Sequence, residues 1–280
     1  ATLARVCFAV KAKAVGNILD PIPTWALMLG SAILIFAANE LGFRFGRGKG
    51  PGLGAQDPSA VVQGAAFTVL ALLLGFSFAL ALGRYDARRG ALMRESNAIA
   101  TTWLRSQLLD PPAAQAVRAD LRIYVAARIA FARADTDPDQ RLAADEKSSA
   151  VQRELWEAAL ESARRDVHST MVPLFIAALN DAINLSIEER AVLTTHIPDV
   201  VMIGLLLIAF IASTMMGYGF GRQGQRALVF KACFAVMLAI AFGLVLDLDR
   251  PQRGLIRVSL APLQAVAHLM EATPPQSAPR

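Results

Sequence analysis

The 280-residue chain reads as an all-α integral membrane protein with four transmembrane helices and a helical region outside the bilayer. Three observations predict this. Apolar residues make up 55% of the chain and charged residues 18%, where soluble domains hold roughly 45–50% and about 25%. The mean hydropathy is correspondingly high, at +0.43. The charge is also segregated, since residues 83–199 carry 32 of the 51 charged side chains. This composition excludes disorder, a collagen repeat and a disulfide scaffold, which need low hydrophobicity, a Gly-X-Y period or dense cysteine.

Residues 1–23 form an N-terminal extension with Arg5, Lys11 and Lys13. Its apolar core, Val6 to Val10, is too short for the apolar region of a signal peptide, and no function is assigned to it. A span needs about 20 apolar residues to cross ~30 Å of hydrocarbon. Four stretches meet that length: 24–43, 60–82, 200–220 and 227–246. The first is entered through Pro21 and Pro23, with Trp25 at an interfacial position and Asn39 and Glu40 near its end. The fourth carries Lys231 one turn in, where a long side chain is expected to snorkel to the interface. No ionisable residue sits at the centre of a span, which argues against a proton relay or a charge-coupled transporter.

Four spans put residues 1–23, 83–199 and 247–280 on one side of the membrane. Basic residues near span ends are about equally dense on both sides, so charge alone leaves the orientation open. The basic excess, with a pI of 9.6, flanks apolar segments and suits anionic lipid head groups. It is not interleaved with aromatics as a nucleic-acid platform would be.

Residues 83–199 are expected to be helical. Asp110 before Pro111 and Pro112, and Asp137 before Pro138, offer N-caps with proline in the first turn. Leu121, Val125 and Ile129 recur at helical spacing, as do Val151, Leu155, Ala159 and Ala163. Ser186 with Glu189 fits a capping box, which would start a helix there.

The motifs of soluble chemistry are weak. Gly219, Gly221 and Gly224 spell G-x-G-x-x-G, but they follow a span rather than a strand, so they read as loop glycines. The alternating glycines from Gly46 to Gly54 read as an extramembrane turn. His168, His196 and His268 are scattered, and no Ser lies in a G-x-S-x-G elbow. Cys7 and Cys233 lack zinc spacing. Asp247 and Asp249 beside Arg250 could offer two oxygens to Ca²⁺, which takes 6 to 8; a charge-paired span terminus is the default. No catalytic residue, metal site or cofactor is predicted.

The second span is the most informative. Ala71, Gly75, Ala79 and Gly83 recur every four residues, a small-residue stripe on which another helix can pack closely. Thr68, Leu72 and Phe76, continued by Leu80, form a parallel stripe about 100° around the helix. Two readings of this second stripe stand: it faces lipid or a neighbouring helix, or it lines an apolar constriction between identical subunits that gates by dewetting. Arg84, Tyr85, Asp86, Arg88 and Arg89 follow at once. They read either as an interfacial basic cluster with an aromatic anchor or as the inner mouth of a pore that concentrates anions.

Leu74-Gly75-Phe76-Ser77-Phe78, then Tyr85-Asp86-Ala87-Arg88-Arg89 and Glu95-Ser96-Asn97-Ala98-Ile99, resemble the bacterial bestrophin-like membrane proteins, a group related to bestrophin channels. Leu179-Asn180-Asp181 and the run from Asp247-Leu248-Asp249-Arg250-Pro251 to Val258 continue the likeness, which spans residues 23–263. The resemblance implies a homo-oligomeric, pentameric anion channel of the cell inner membrane, with cytoplasmic termini and residues 83–199 cytosolic. It places Thr68, Leu72 and Phe76 in an apolar neck. The sequence departs from the family at two points: the long acidic run of calcium-gated bestrophins is reduced to Asp247 and Asp249, and the Trp-rich stretch after the tyrosine is missing. The expected partners are membrane lipid, small anions and further copies of the chain. The alternative is a non-conducting membrane scaffold whose cytosolic helices bind a protein partner.

Overall fold

The computed structural model describes residues 22–47, 58–134, 137–193, 195, 197–250 and 256–272. Residues 1–21, the Gly48–Gly54 part of the glycine run, His196 and Pro251 lie outside the described residues. Among the described residues the structure is all helical. The helices are α1 (Thr24–Arg47), α2 (Pro58–Arg105), α3 (Pro111–Arg133), α4 (Pro138–Arg165), α5 (Val172–Leu193), α6 (Asp199–Arg222), α7 (Leu228–Asp249) and α8 (Ala261–Ala272). Four of them, α1, α2, α6 and α7, are long and apolar enough to cross a membrane. The chain divides into two compact units, one of residues 1–83 and 196–250, the other of 84–195 and 251–280.

The first unit is organised by a close crossing of α1 and α6. A Cβ on Gly217 would overlap the Asn39 carbonyl, and one on Gly221 the Phe43 carbonyl. On the facing helix, a Cβ on Gly42 would overlap the Thr214 carbonyl, and one on Gly46 that of Tyr218. Each helix thus carries a G-x-x-x-G pair, and the backbones meet where neither has a side chain. The register rises on both helices together, so α1 and α6 run parallel, as first and third spans must. Their N–H and C=O groups are satisfied within each helix, which is what a spanning segment requires.

Against α1, α7 runs antiparallel, with Met28 against Gly243 at one end and Glu40 against Lys231 at the other. The apolar part of α2 joins through an edge-on contact of Phe67 with Phe234, whose ring centroids are 5.3 Å apart. The α6–α7 turn passes through Gly224 at φ +68° and Ala227 at φ +34°. Left-handed backbone is what admits so short a reversal, and glycine adopts it without strain.

Three expectations are corrected here. Lys231 does not snorkel: it is fully buried, its Nζ 3.7 Å from Glu40 Oε2 and 4.0 Å from the centre of the Phe43 ring. The first turn of α7 faces α1, and the carboxylate and the ring stand in for water. Gly219 and Gly221 are not loop glycines but belong to the last turn of α6, and only Gly224 lies in the turn. Gly46 likewise lies in α1 rather than in the turn beyond it.

The second unit has a continuous core of Leu92, Ile99 and Trp103 from α2, Val117, Leu121 and Val125 from α3, Val151 and Leu155 from α4, and Phe175 and Leu179 from α5. Helix α8 closes it with Leu263, Val266 and Met270. The periodicities read from residues 121–129 and 151–163 are the core faces of α3 and α4, with Ile129 and Ala163 at their edges.

Asp137 caps α4, accepting from the N–H groups of Asp139 and Gln140 at 3.0 and 3.1 Å. Asp110 stands at the N-cap position of α3, but its side chain caps nothing. Pro112 has removed one of the N–H donors a cap would reach. Ser186 and Glu189 form no capping box, because both lie inside α5. Ser186 Oγ donates back to the Ile183 carbonyl at 2.7 Å, and Glu189 pairs with Arg128. At the true start of α5, Ser169 Oγ accepts from the N–H groups of Met171 and Val172, both at 3.3 Å.

Candidate functional site

Helix α2 continues without a break for 48 residues, from its apolar half into the helical unit. In the apolar half, Leu70, Ser77 and Ala81 face inward and are buried. Thr68, Leu72 and Phe76 lie on an open face, with Leu72 56% and Phe76 63% exposed. Thr68 Oγ1 is turned back to the Gly64 carbonyl at 3.0 Å, which hides its polarity along the stripe. Ala71, Gly75, Ala79 and Gly83 are exposed as well, and a Cβ added at Gly75 or Gly83 would meet nothing within 4 Å. Of the most apolar 18 residues of α2, 17% are buried, against 33% in α1 and α6 and 39% in α7. The small-residue stripe therefore packs on no other described helix of the chain.

The side chains of the basic segment differ in burial. Asp86 and Arg89 are exposed, Arg84 and Tyr85 half-buried, and Arg88 buried. Arg88 Nη2 donates to the Thr195 carbonyl at 3.0 Å. Helical geometry imposes the division, because Arg88 shares a face with the buried Ala81, Leu92 and Glu95 while Arg89 is turned about 100° away.

A polar cluster that no sequence motif announced lies inside the helical unit. Arg128 Nε donates to Glu95 Oε1 at 2.7 Å, and Nη2 to Glu95 Oε2 at 3.1 Å and to Glu189 Oε2 at 2.6 Å. The Tyr124 hydroxyl donates to Glu95 Oε1 at 3.3 Å, and Gln152 Nε2 donates to Tyr124 at 3.0 Å and to Ser186 at 2.8 Å. Arg128 and Glu95 are at most 1% exposed. Burial, with the Glu95 charge, pushes the Tyr124 hydroxyl up to about 12. Burial also raises the Glu189 carboxyl, with Arg128 opposing and Glu95 assisting. The legible signal was a charge on an apolar face: Arg128 stands seven residues beyond Leu121 and three beyond Val125.

At the end of α7, Asp249 accepts from the Ile197 N–H with both oxygens, at 3.0 and 3.1 Å, and ties the chain entering α6 to the last turn of α7. Arg250 Nη1 donates to the Ile22 carbonyl at 2.6 Å. Asp247, Asp249 and Arg250 are all buried. Among the described residues no group of three or more His, Cys, Asp or Glu is arranged to hold a metal.

These features define a helical membrane protein with one under-covered spanning helix. A sequence model of the bestrophin-like domain matches residues 54–263, three quarters of the chain, and the chain belongs to that family. Its fold is similar to that of a bacterial bestrophin homologue from Klebsiella pneumoniae. A crystal structure of a point mutant of that protein has a TM-score of 0.66 at 13% identity, covering 89% of this chain and 99% of that one. A second, phased with zinc, has 0.63 at 14%, covering 88% and 94%. A crystal structure described as a membrane protein has 0.64 at 15%, covering 89% and 96%. No match is found among curated proteins.

Proposed function

We propose that the chain assembles into a homo-oligomer, a pentamer, that passes small anions across the cell inner membrane through a ring of α2 helices. One observation supports this reading above the others: the apolar half of α2 leaves two adjacent stripes uncovered, where the other spans are packed. Thr68, Leu72 and Phe76 would line the axis as a narrow apolar neck, closed to ions when dry. Ala71, Gly75, Ala79 and Gly83 would meet the next subunit, their small side chains admitting a close approach. Further along the same helix, Arg84 and Arg89 would raise the local anion concentration at the inner mouth, with Tyr85 and Asp86 beside them. Arg88 belongs instead to the packing of the helical unit. In this reading both termini and residues 83–199 are cytoplasmic, and Asp247, Asp249 and Arg250 form a structural terminus of the last span rather than a calcium site.

The test is reconstitution of the purified protein in liposomes, with chloride and potassium efflux followed separately and the oligomer mass measured in detergent. Chloride flux from a five-copy assembly is expected. A well-assembled oligomer with no flux, even when the neck is opened by substitution, would leave the scaffold reading in its place.

A further inference from the structure

The helical unit buries two carboxylates around one guanidinium. Arg128 Nη2 is shared, 3.1 Å from Glu95 and 2.6 Å from Glu189. The two acids are not equivalent. Glu95 takes both Arg128 Nε and Nη2 and the Tyr124 hydroxyl, and is fully enclosed. Glu189 takes a single hydrogen bond and also lines a cavity of about 50 Å³ with Arg88, Leu92, Ala132, Leu193, Val258 and Leu260. A space of that size holds one or two waters, so a proton can reach Glu189 without unfolding of the unit. Four charged groups face Glu189: Glu95 and Arg88 from α2, Arg128 from α3 and Arg141 from α4. Among the described residues of the segment before α8, Val258 and Leu260 line the cavity.

We propose that Glu189 is a proton-binding site that sets how tightly α5 is held against α2 and α3. Protonated, it leaves Glu95 and Arg128 as a one-to-one ion pair and still accepts from Arg128 Nη2 through its carbonyl oxygen without adding charge. Ionised, it places a second carboxylate on the same nitrogen in a site with little water. Burial favours its neutral form. The sign follows from linkage: with the folded-state value above the unfolded one of about 4.3, stability is greatest at low pH and is lost as pH rises through the folded-state value.

The measurement is hydrogen–deuterium exchange of the detergent-solubilised full chain from about pH 5 to about pH 8, normalised for intrinsic exchange. The opening constant of amides in residues 183–193 is expected to rise with pH, by at most about tenfold per unit for one proton. Glu189→Gln should flatten that profile at the protected, low-pH level. A flat wild-type profile, or an equal slope in Glu189→Gln, would overturn the proposal. Infrared difference spectra of the wild-type protein need no variant to fold. A protonated-carboxyl band that persists above the ordinary glutamate range supports the site, and titration of every carboxyl near the ordinary glutamate value counts against it.

Discussion

Arg128 draws its partners from α2 and α5, 33 and 61 residues away in sequence, and its removal from water rests chiefly on the two-point pair with Glu95. Taking away one partner of a buried pair strands the other charge, at about 3–5 kcal/mol. Glu95→Gln is therefore expected to lower the unfolding free energy of the helical unit by roughly that amount, read from chemical denaturation in detergent. Glu189→Gln should cost less than that, since burial raises the Glu189 carboxyl and the amide oxygen still accepts from Arg128. The Glu40–Lys231 pair predicts a similar asymmetry. Lys231 is fully buried, while the Glu40 side chain keeps 21% exposure. Lys231→Met leaves a carboxylate that can reach water and a chain that can still cover Phe43, whereas Glu40→Leu strands an ammonium group. Thermal melts should show the second substitution to be the more damaging.

Among the elements, α1 and α6 depend on the absence of side chains where they cross. Gly217→Val would drive a branched side chain into the Asn39 backbone, and the helices can relieve the clash only by separating. A loss of about 1–3 kcal/mol or more is expected, visible as a lower melting temperature. Gly75 in α2 provides the contrast, because nothing in the protomer lies near it. Gly75→Leu should leave the melting temperature of the monomer unchanged and reduce the mass of the assembled species. Unchanged assembly in that variant would remove the small-residue stripe from the subunit interface. The helices themselves were largely legible. The four apolar runs and the periodic faces around Leu121 and Leu155 are local patterns that need no partner to be recognised. The G-x-x-x-G pairs at Gly42 and Gly217 were hidden by a reading that placed Gly46 and Gly221 in turns, and which helix each meets is not a local property. The end of α6 was misread because a loop and a close helix crossing both call for glycine. Ser186 and Glu189 carried the residue types of a cap, yet the apolar periodicity before them continues the helix, and their polar atoms find partners on other elements.

For the molecule as a whole, the proposed conduction would rest on a neck formed when copies of the chain assemble. In the proposed neck, changing Leu72 and Phe76 together to Ala would widen and wet the constriction, and chloride efflux from liposomes is expected to rise while oligomer mass stays constant. Arg84→Glu with Arg89→Glu should then lower the preference for chloride over potassium, and less so at high salt, where the charges are screened. Unchanged flux in the Ala variant of an intact oligomer would place Leu72 and Phe76 against lipid instead.

By itself, the sequence determined that this is a helical membrane protein with four spans, where the core faces of α3 and α4 lie, and which family it resembles, because apolar run length, helical periodicity and contiguous motifs are properties of neighbouring residues. The tertiary structure decided which face of α2 stays open, that Arg88 turns inward while Arg89 does not, that Lys231 is buried rather than snorkelling, and that Arg128 holds Glu95 and Glu189. Each of those outcomes depends on a residue distant in the chain, and burial and charge pairing take their sign from what the fold brings alongside.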